Sequence, residues 1–350
     1  AGPVPELPPL PPTYRRPVLT LDPGGHTAFV KHAFFTPDGE RVITIGDDKA
    51  VRFWSIATGE SLVTVPLPAG PDVEGVPQGA ALSPDGKHLA IGVFPLNRGK
   101  TGLPIYVLST ETGGYEQVVG GSREVQTALD YSPDGKRLAV GCGDGTLQVL
   151  EVATGKAAFE VRAHRDSIVG VRFNPKSPVV ATVGRESVVA VWSLADPTKP
   201  VAVIDLTGKK PHTLDWASDG KTLAVGGVSG EVYLYDAAGA PIKTLPAIME
   251  RGGPMQINQM RFLPGDKQLI YGGIAYSGWV GVIDVATGDR PVTVKEHSNT
   301  VRAVACNADG SLAVTSGGEA HETIVWKTSD GTVVRKFAGA SRGLWAVGWG

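Results

Sequence analysis

Seven copies of one short pattern limit what this chain can fold into more than any other feature. They read FTPDGERVITIG, LSPDGKHLAIGV, YSPDGKRLAVGC, FNPKSPVVATVG, WASDGKTLAVGG, FLPGDKQLIYGG and CNADGSLAVTSG, anchored on Pro37, Pro84, Pro133, Pro175, Ser218, Pro264 and Ala308. Successive anchors lie 47, 49, 42, 43, 46 and 44 residues apart. Self-similarity at such a period means one supersecondary unit, unable to cover its apolar face alone, stacked on copies of itself.

Within a unit an alternating run ends in an aromatic, a PDG turn follows, a second apolar run ends in Gly, and a third ends in an aromatic or Leu. An ATG turn then leads to a fourth short run. Val30 to Phe35, Arg41 to Ile45, Val51 to Ile56 and Ser61 to Val65 illustrate it, and alternation rich in Val, Ile and Thr is the pattern of strands. Pro followed by Asp-Gly builds a tight turn with glycine where the backbone must reach positive φ. Ala57 to Gly59, Ala153 to Gly155 and Ala286 to Gly288 serve the same purpose between third and fourth runs. Seven equivalent corners, five of them Asp-Gly, are read as turns rather than as calcium or catalytic sites. The 46 Gly and 27 Pro, about a fifth of the 350 residues, fit a chain with many turns. No segment reads as an amphipathic helix. The expected fold is all-β: a seven-bladed propeller of four-stranded antiparallel blades, with an eighth partial repeat at the C-terminus.

The repeats resemble the WD40 family across 17 to 350. The resemblance implies a hydrogen-bonded set in each repeat: a His before the first strand, a Ser or Thr in the second, an Asp in the next turn and a Trp ending the third. The first unit supplies His26, Thr44, Asp48 and Trp54. The fourth supplies His164, Thr182 and Trp192, with Glu186 where Asp is expected. The seventh supplies His297, Thr315 and Trp326, with Glu319 in the acidic position and a turn one residue longer. The other units lack most of the set: Asp144 stands in the third without a His, and Tyr235 replaces Trp in the fifth. These residues are structural in this reading, since such a set satisfies buried polar groups that are costly to strand.

Charge and cysteine usage limit the function classes. There are 33 Lys and Arg against 35 Asp and Glu, a net charge of −2, without the basic excess of a nucleic-acid or anionic-membrane binder. No nucleic-acid partner and no membrane insertion are expected, and no run approaches the ~18 apolar residues of a membrane helix. Cys142 and Cys306, each inside an apolar run, read as buried thiols. Four motif-like strings fail their physical tests. Asn97 to Thr101 (NRGKT) lacks the earlier glycine and the helix a phosphate loop needs. His164 to Asp166 (HRD) has Val171 where a kinase loop carries Asn. Gly141 to Gly145 precedes a strand, and His321 to Thr323 lacks a second zinc ligand. No catalytic, cofactor or metal residue is assigned.

Function is expected where the repeat tolerates insertion. In an antiparallel meander the PDG and ATG turns share one face, and both stay short. The long connections are Pro66 to Pro77, Phe94 to Pro104, Pro246 to Gln256, Ile274 to Trp279 and Gly317 to Glu322, all on the other face. They offer Asn97, Arg98, Lys100, Met249, Arg251, Met255, Tyr276 and Trp279 as partner contacts, rich in the Arg, Met and aromatic residues of interface centres. The expected function is a non-catalytic scaffold that binds a protein partner, or another domain of a longer chain. Two alternatives stand beside it: an enzyme or small-ligand binder using the central channel mouth, and a structural subunit of a larger assembly. The compartment is left open between cytoplasmic and exported after signal cleavage.

Residues 1–16, with six prolines among the first 12, read as a stiff arm or linker. Residues 17–342 form the propeller, with Val18 to Leu21 as a fourth-type strand, and 343–350 read as the first strand of a further repeat or a closing strand. The pattern resembles the N-terminal propeller of large multidomain bacterial WD40 proteins.

Overall fold

A computed structural model describes residues 24–70, 72–94, 103–122, 124–250, 253–274, 278–337 and 339. It contains seven four-stranded antiparallel sheets, each made of four consecutive strands, and one two-stranded ribbon. The described residues include no helix. Blade one is Val30–Phe35, Arg41–Gly46, Ala50–Ser55 and Ser61–Pro66. Blades two to seven occupy 77–122, 126–162, 168–205, 211–245, 256–294 and 301–337. The seven first strands surround the axis of a seven-bladed propeller.

Each blade is covered on both faces by its neighbours, and the sequence shows it. Second strands such as Arg41–Gly46 and Val179–Gly184 are buried at every position but the first. A strand sandwiched between two sheets has no wet face, so it reads as a continuous apolar run rather than an alternating one. Outer strands do the reverse: Ala157–Arg162 and Pro241–Leu245 are largely exposed.

The core is therefore a series of slices shared by adjacent blades. Ile43, Val51 and Phe53 of blade one pack with Leu89, Ile91, Tyr106 and Leu108 of blade two. The slice that closes the ring joins Ala33, Phe35, Val42 and Trp54 of blade one to Ala303, Val314, Val325 and Phe337 of blade seven. The Trp54 and Phe337 rings lie 5.1 Å apart, and Arg335 Nε donates to Ile56 O at 2.9 Å. Every described blade uses only its own strands, so among the described residues blades one and seven meet through side chains rather than a shared sheet. Val18 to Leu21 and Gly343 to Gly350 lie outside the described residues.

The acid-glycine corners have a local task. Asp85 Oδ1 accepts from Ser83 Oγ at 2.6 Å and from the Lys87 amide at 3.0 Å. Asp134 does the same with Ser132 and the Lys136 amide, at 2.6 and 3.1 Å. Hydrogen bonds from these serines, then from the amides, hold both carboxyls below the usual carboxylate range. Glycine has two distinct reasons to be there. Gly39 and Gly86 share positive φ, 70° and 67°, but a Cβ on Gly39 would meet nothing, whereas one on Gly86 would lie 1.9 Å from Pro37 Cγ in the neighbouring blade. Gly39→Ala is expected to cost the ~1–2 kcal/mol of a left-handed alanine. Gly86→Ala adds an overpacking cost of ~1–3 kcal/mol, and urea unfolding of the two variants measures the difference.

Candidate interaction face and channel wall

The histidine sets sit where the long connections enter the first strands. Trp54 Nε1 donates to Thr44 Oγ1 at 2.7 Å, Thr44 Oγ1 lies 2.7 Å from His26 Nε2, and His26 Nδ1 lies 2.8 Å from Asp48 Oδ1. A carboxylate only accepts, so Nδ1 carries the ring proton, Nε2 accepts, and the threonine hydroxyl donates to it. In blade four His164 bonds Glu186 at 2.7 Å and Thr182 at 2.8 Å, and Trp192 reaches Thr182 at 3.2 Å. The longer glutamate substitutes for aspartate without breaking the relay.

Blade seven departs from the sequence reading. His297 and Trp326 both reach Thr315, at 2.8 and 3.2 Å, but Glu319 accepts from Asn299 at the surface. The carboxylate facing His297 Nδ1 is that of Glu322, at 3.8 Å, beyond hydrogen-bond range. The extra residue in the turn carries Glu319 outward and brings the buried Glu322, which accepts from the Ser298 amide, to the ring. Burial lowers the basicity of His297.

Of the eight residues offered as partner contacts, Asn97, Arg98, Lys100, Arg251 and Tyr276 lie outside the described residues. Met249 is exposed, at 55%, on the two-stranded ribbon Met249–Glu250 and Gly253–Pro254. Met255 is not a surface residue: it is 1% exposed in the core shared with Ile248, Ile257 and Leu245. The ribbon folds the chain back, the Met255 amide donates to Ile248 O at 2.7 Å, and the side chain is carried beneath the loop. Trp279 is half-buried against the same core, with Lys295 Nζ 4.1 Å above its ring. Likewise Cys142 is buried but Cys306 only partly so, and neither is in a disulfide.

Sequence reasoning missed two apolar surface residues on this face, Val73 at 50% and Ile274 at 43% exposed. Ile274 had a readable signal: the run QLIYGGI is one residue longer than the six-residue second strands of the other blades. Ten large apolar side chains are exposed among the described residues. Leu62, Val63, Val201, Val203, Ile242, Val333 and Val334 lie on outer strands, and Val73, Met249 and Ile274 lie in long connections. Three of the ten therefore coincide with the long connections, where chain insertion accumulates.

Charged groups line the channel, and most stitch blades together. Asp130 accepts from the Phe173 amide of the next blade at 2.7 Å, and Asp215 from the Phe262 amide at 2.9 Å. Arg172 lies between them, 3.6 Å from Asp130 and 3.5 Å from Asp215, and Arg261 lies 3.6 Å from Asp215. Burial pushes the carboxyls up to about 6 and about 7, against the opposing pull of Arg172. Burial likewise raises the Cys306 thiol to about 11, away from the thiolate a nucleophile needs.

His32 Nε2 donates to Gln78 O at 2.9 Å, joining blades one and two. Burial, seconded by the Lys31 and Arg172 charges and opposed by the Gln78 bond, lowers this imidazole from 6.5 to about 4. Between those values the unfolded chain takes the proton and the folded ring does not. The associated stability is whole above pH 6.5 and is lost as pH falls toward 4, at about 1.4 kcal/mol per pH unit. The loss between pH 7.5 and 5 is expected to shrink by about 2 kcal/mol in His32→Gln, which keeps a donor without titrating; urea midpoints at both pH values check it.

Comparison with known proteins adds the following. A family model described as WD domain, G-beta repeat, matches residues 15–55 and 288–334. One described as anaphase-promoting complex subunit 4 WD40 domain matches 116–176. The chain is 25% identical over 283 residues to WD repeat and HMG-box DNA-binding protein 1 of Xenopus laevis, covering 76% of this chain and 22% of that protein. It is 27% identical over 209 residues to apoptotic protease-activating factor 1 of Danio rerio, covering 56% of this chain and 15% of that one. The chain thus spans less than a quarter of the length of either relative. A solved structure titled Structure of U3-55K superposes with a TM-score of 0.71 at 19% identity, over 85% of this chain and 90% of the other, a likeness of fold. Both relatives are eukaryotic, so they lend no support to the resemblance to bacterial chains.

Proposed function

We propose that this seven-bladed propeller, whose residues 15–55 and 288–334 match the WD domain, G-beta repeat, model, is a WD40-repeat protein and a non-catalytic scaffold binding a protein partner, or a neighbouring domain, through its long-loop face. The observation that carries this reading is the coincidence of exposed Val73, Met249 and Ile274 with the connections that vary in length. Blades fixed on both sides supply rigidity, and loops free of sheet register supply specificity. Met249, the Trp279–Lys295 pair and Ile274 form the described part of this contact surface; Asn97, Arg98, Lys100, Arg251 and Tyr276 are proposed to complete it.

The test is affinity capture with the 350-residue protein from extracts of its source, read by quantitative mass spectrometry. Met249→Asp with Ile274→Asp, and separately Trp279→Ala with Arg251→Glu, are expected to reduce a captured partner at least tenfold. Asp219→Lys on the short-turn face should leave it unchanged. Equal capture by all of these proteins would falsify the assignment of the face.

A further inference from the structure

The channel contains a cavity of about 340 Å³ walled by the seven first strands, with Ile274 from the end of a second strand. Its wall includes the basic groups Lys31, Arg172, Arg261 and Arg302, with the imidazoles of His32 and His212. No aspartate or glutamate is among its described lining residues. The nearby carboxylates have protein partners: Asp130 and Asp215 each turn one oxygen to a backbone amide of the next blade, and Asp47 pairs with Lys31 at 2.8 Å.

The arginines are poorly satisfied by those carboxylates. Contacts of 3.5–3.6 Å from Arg172 and Arg261 are charge contacts, too long for hydrogen bonds. Each guanidinium gives one bond to the carbonyl before it, Arg172 to Val171 at 2.8 Å and Arg261 to Met260 at 3.4 Å. Among the described residues no other hydrogen bond engages their five donors apiece, and both side chains line the cavity. Arg302 is exposed, its guanidinium 5.3 Å from the Phe29 ring centroid, with no carboxylate in ion-pair range among the described residues.

The cations occupy two depths. Ile257 and Val301 pair with Gly273 and Gly317, the last glycines of their second strands, so the first strands of blades six and seven share a register, and Asn258 Nδ2 donates to Val301 O between them. In that register Arg302 is level with Asn258, and Arg261 lies three residues deeper, or about 10 Å at the rise of a strand. Arg172 occupies the same repeat position as Arg261. A cavity of this size takes a small molecule rather than a folded partner.

We infer that the channel is a binding site for a small elongated polyanion, with one acidic group held by Arg302 at the loop-side mouth and the other by Arg172 and Arg261 deeper in. A phosphate suits planar guanidinium donors in both places. The site does not depend on which protein, if any, docks on the loops.

Isothermal titration calorimetry of the 350-residue protein tests it with three probes at low salt: a hexose 1,6-bisphosphate, inorganic phosphate and a hexa-aspartate peptide. The bisphosphate is expected to bind at least tenfold more tightly than phosphate. Arg261→Gln and Arg302→Gln should each weaken it about tenfold, and Lys199→Gln on the short-turn face should not. Circular dichroism verifies folding, and the surface variant Arg302→Gln decides the matter if Arg261→Gln unfolds. Equal affinity for bisphosphate and phosphate, indifference to Arg302→Gln, or no binding would overturn the site. Tighter binding of the peptide would overturn the small-molecule assignment and make the channel a receptor for an acidic tail.

Discussion

Thr44→Val is expected to destabilise the ring by about 2–6 kcal/mol, although valine nearly matches threonine in shape. Thr44 is fully buried, and its hydroxyl hydrogen-bonds both the Trp54 indole and the His26 imidazole. Without it the indole N–H and His26 Nε2 are both left unpaired in the core, at about 1–3 kcal/mol each. The Asp48 contact would survive but orient a ring with nothing to hold on its far side. Thr44→Ser restores the hydroxyl and should recover most of the loss, which an unspecific packing defect would not. Urea unfolding followed by tryptophan fluorescence separates the three proteins, and a valine variant within 1 kcal/mol of the parent would show that the relay contributes little.

Phe337→Ala should cost about 3–5 kcal/mol, by lost transfer energy and the cavity left at the seam. Phe337 is 3% exposed, rests 5.1 Å from Trp54, and belongs to the one slice that joins the last blade to the first. Other slices are reinforced by direct continuity of the chain between the blades they join. Among the described residues this one is held by packing, by the contacts of Phe29 with His321 and Arg302, and by Arg335 reaching the carbonyls of Ile56 and Ala57. The variant is therefore expected to expose amides of blades one and seven to hydrogen exchange before those of blades three to five. Uniform exchange around the ring would mean that closure is no weaker than the other joints.

Much of this was legible in the sequence, for reasons particular residues make plain. The corner formed by Ser83, Pro84, Asp85 and Gly86 specifies its own backbone, because the serine hydroxyl, the carboxylate and the positive φ are satisfied within five residues. His26, Thr44, Asp48 and Trp54 could be quoted as a set because the repeat fixes their spacing, and they lie within hydrogen-bond distance of one another. Met255 and Glu319 were misread for a common reason. A side chain's direction in an irregular connection depends on where the chain turns, and neither the ribbon after Ile248 nor the extra residue before Glu322 has a periodicity to reveal it.

The sequence by itself determined the seven repeats, the strands within them and the side of the disc on which insertions accumulate, because turn chemistry and period-2 burial act over a few residues. The tertiary structure alone decided which residues of the long loops are exposed, how blade seven closes on blade one, and that Arg172, Arg261 and Arg302 face one cavity. Those residues lie 41 to 130 positions apart in the chain. Only closure of the ring, driven by burial between neighbouring sheets, brings their charges around one axis.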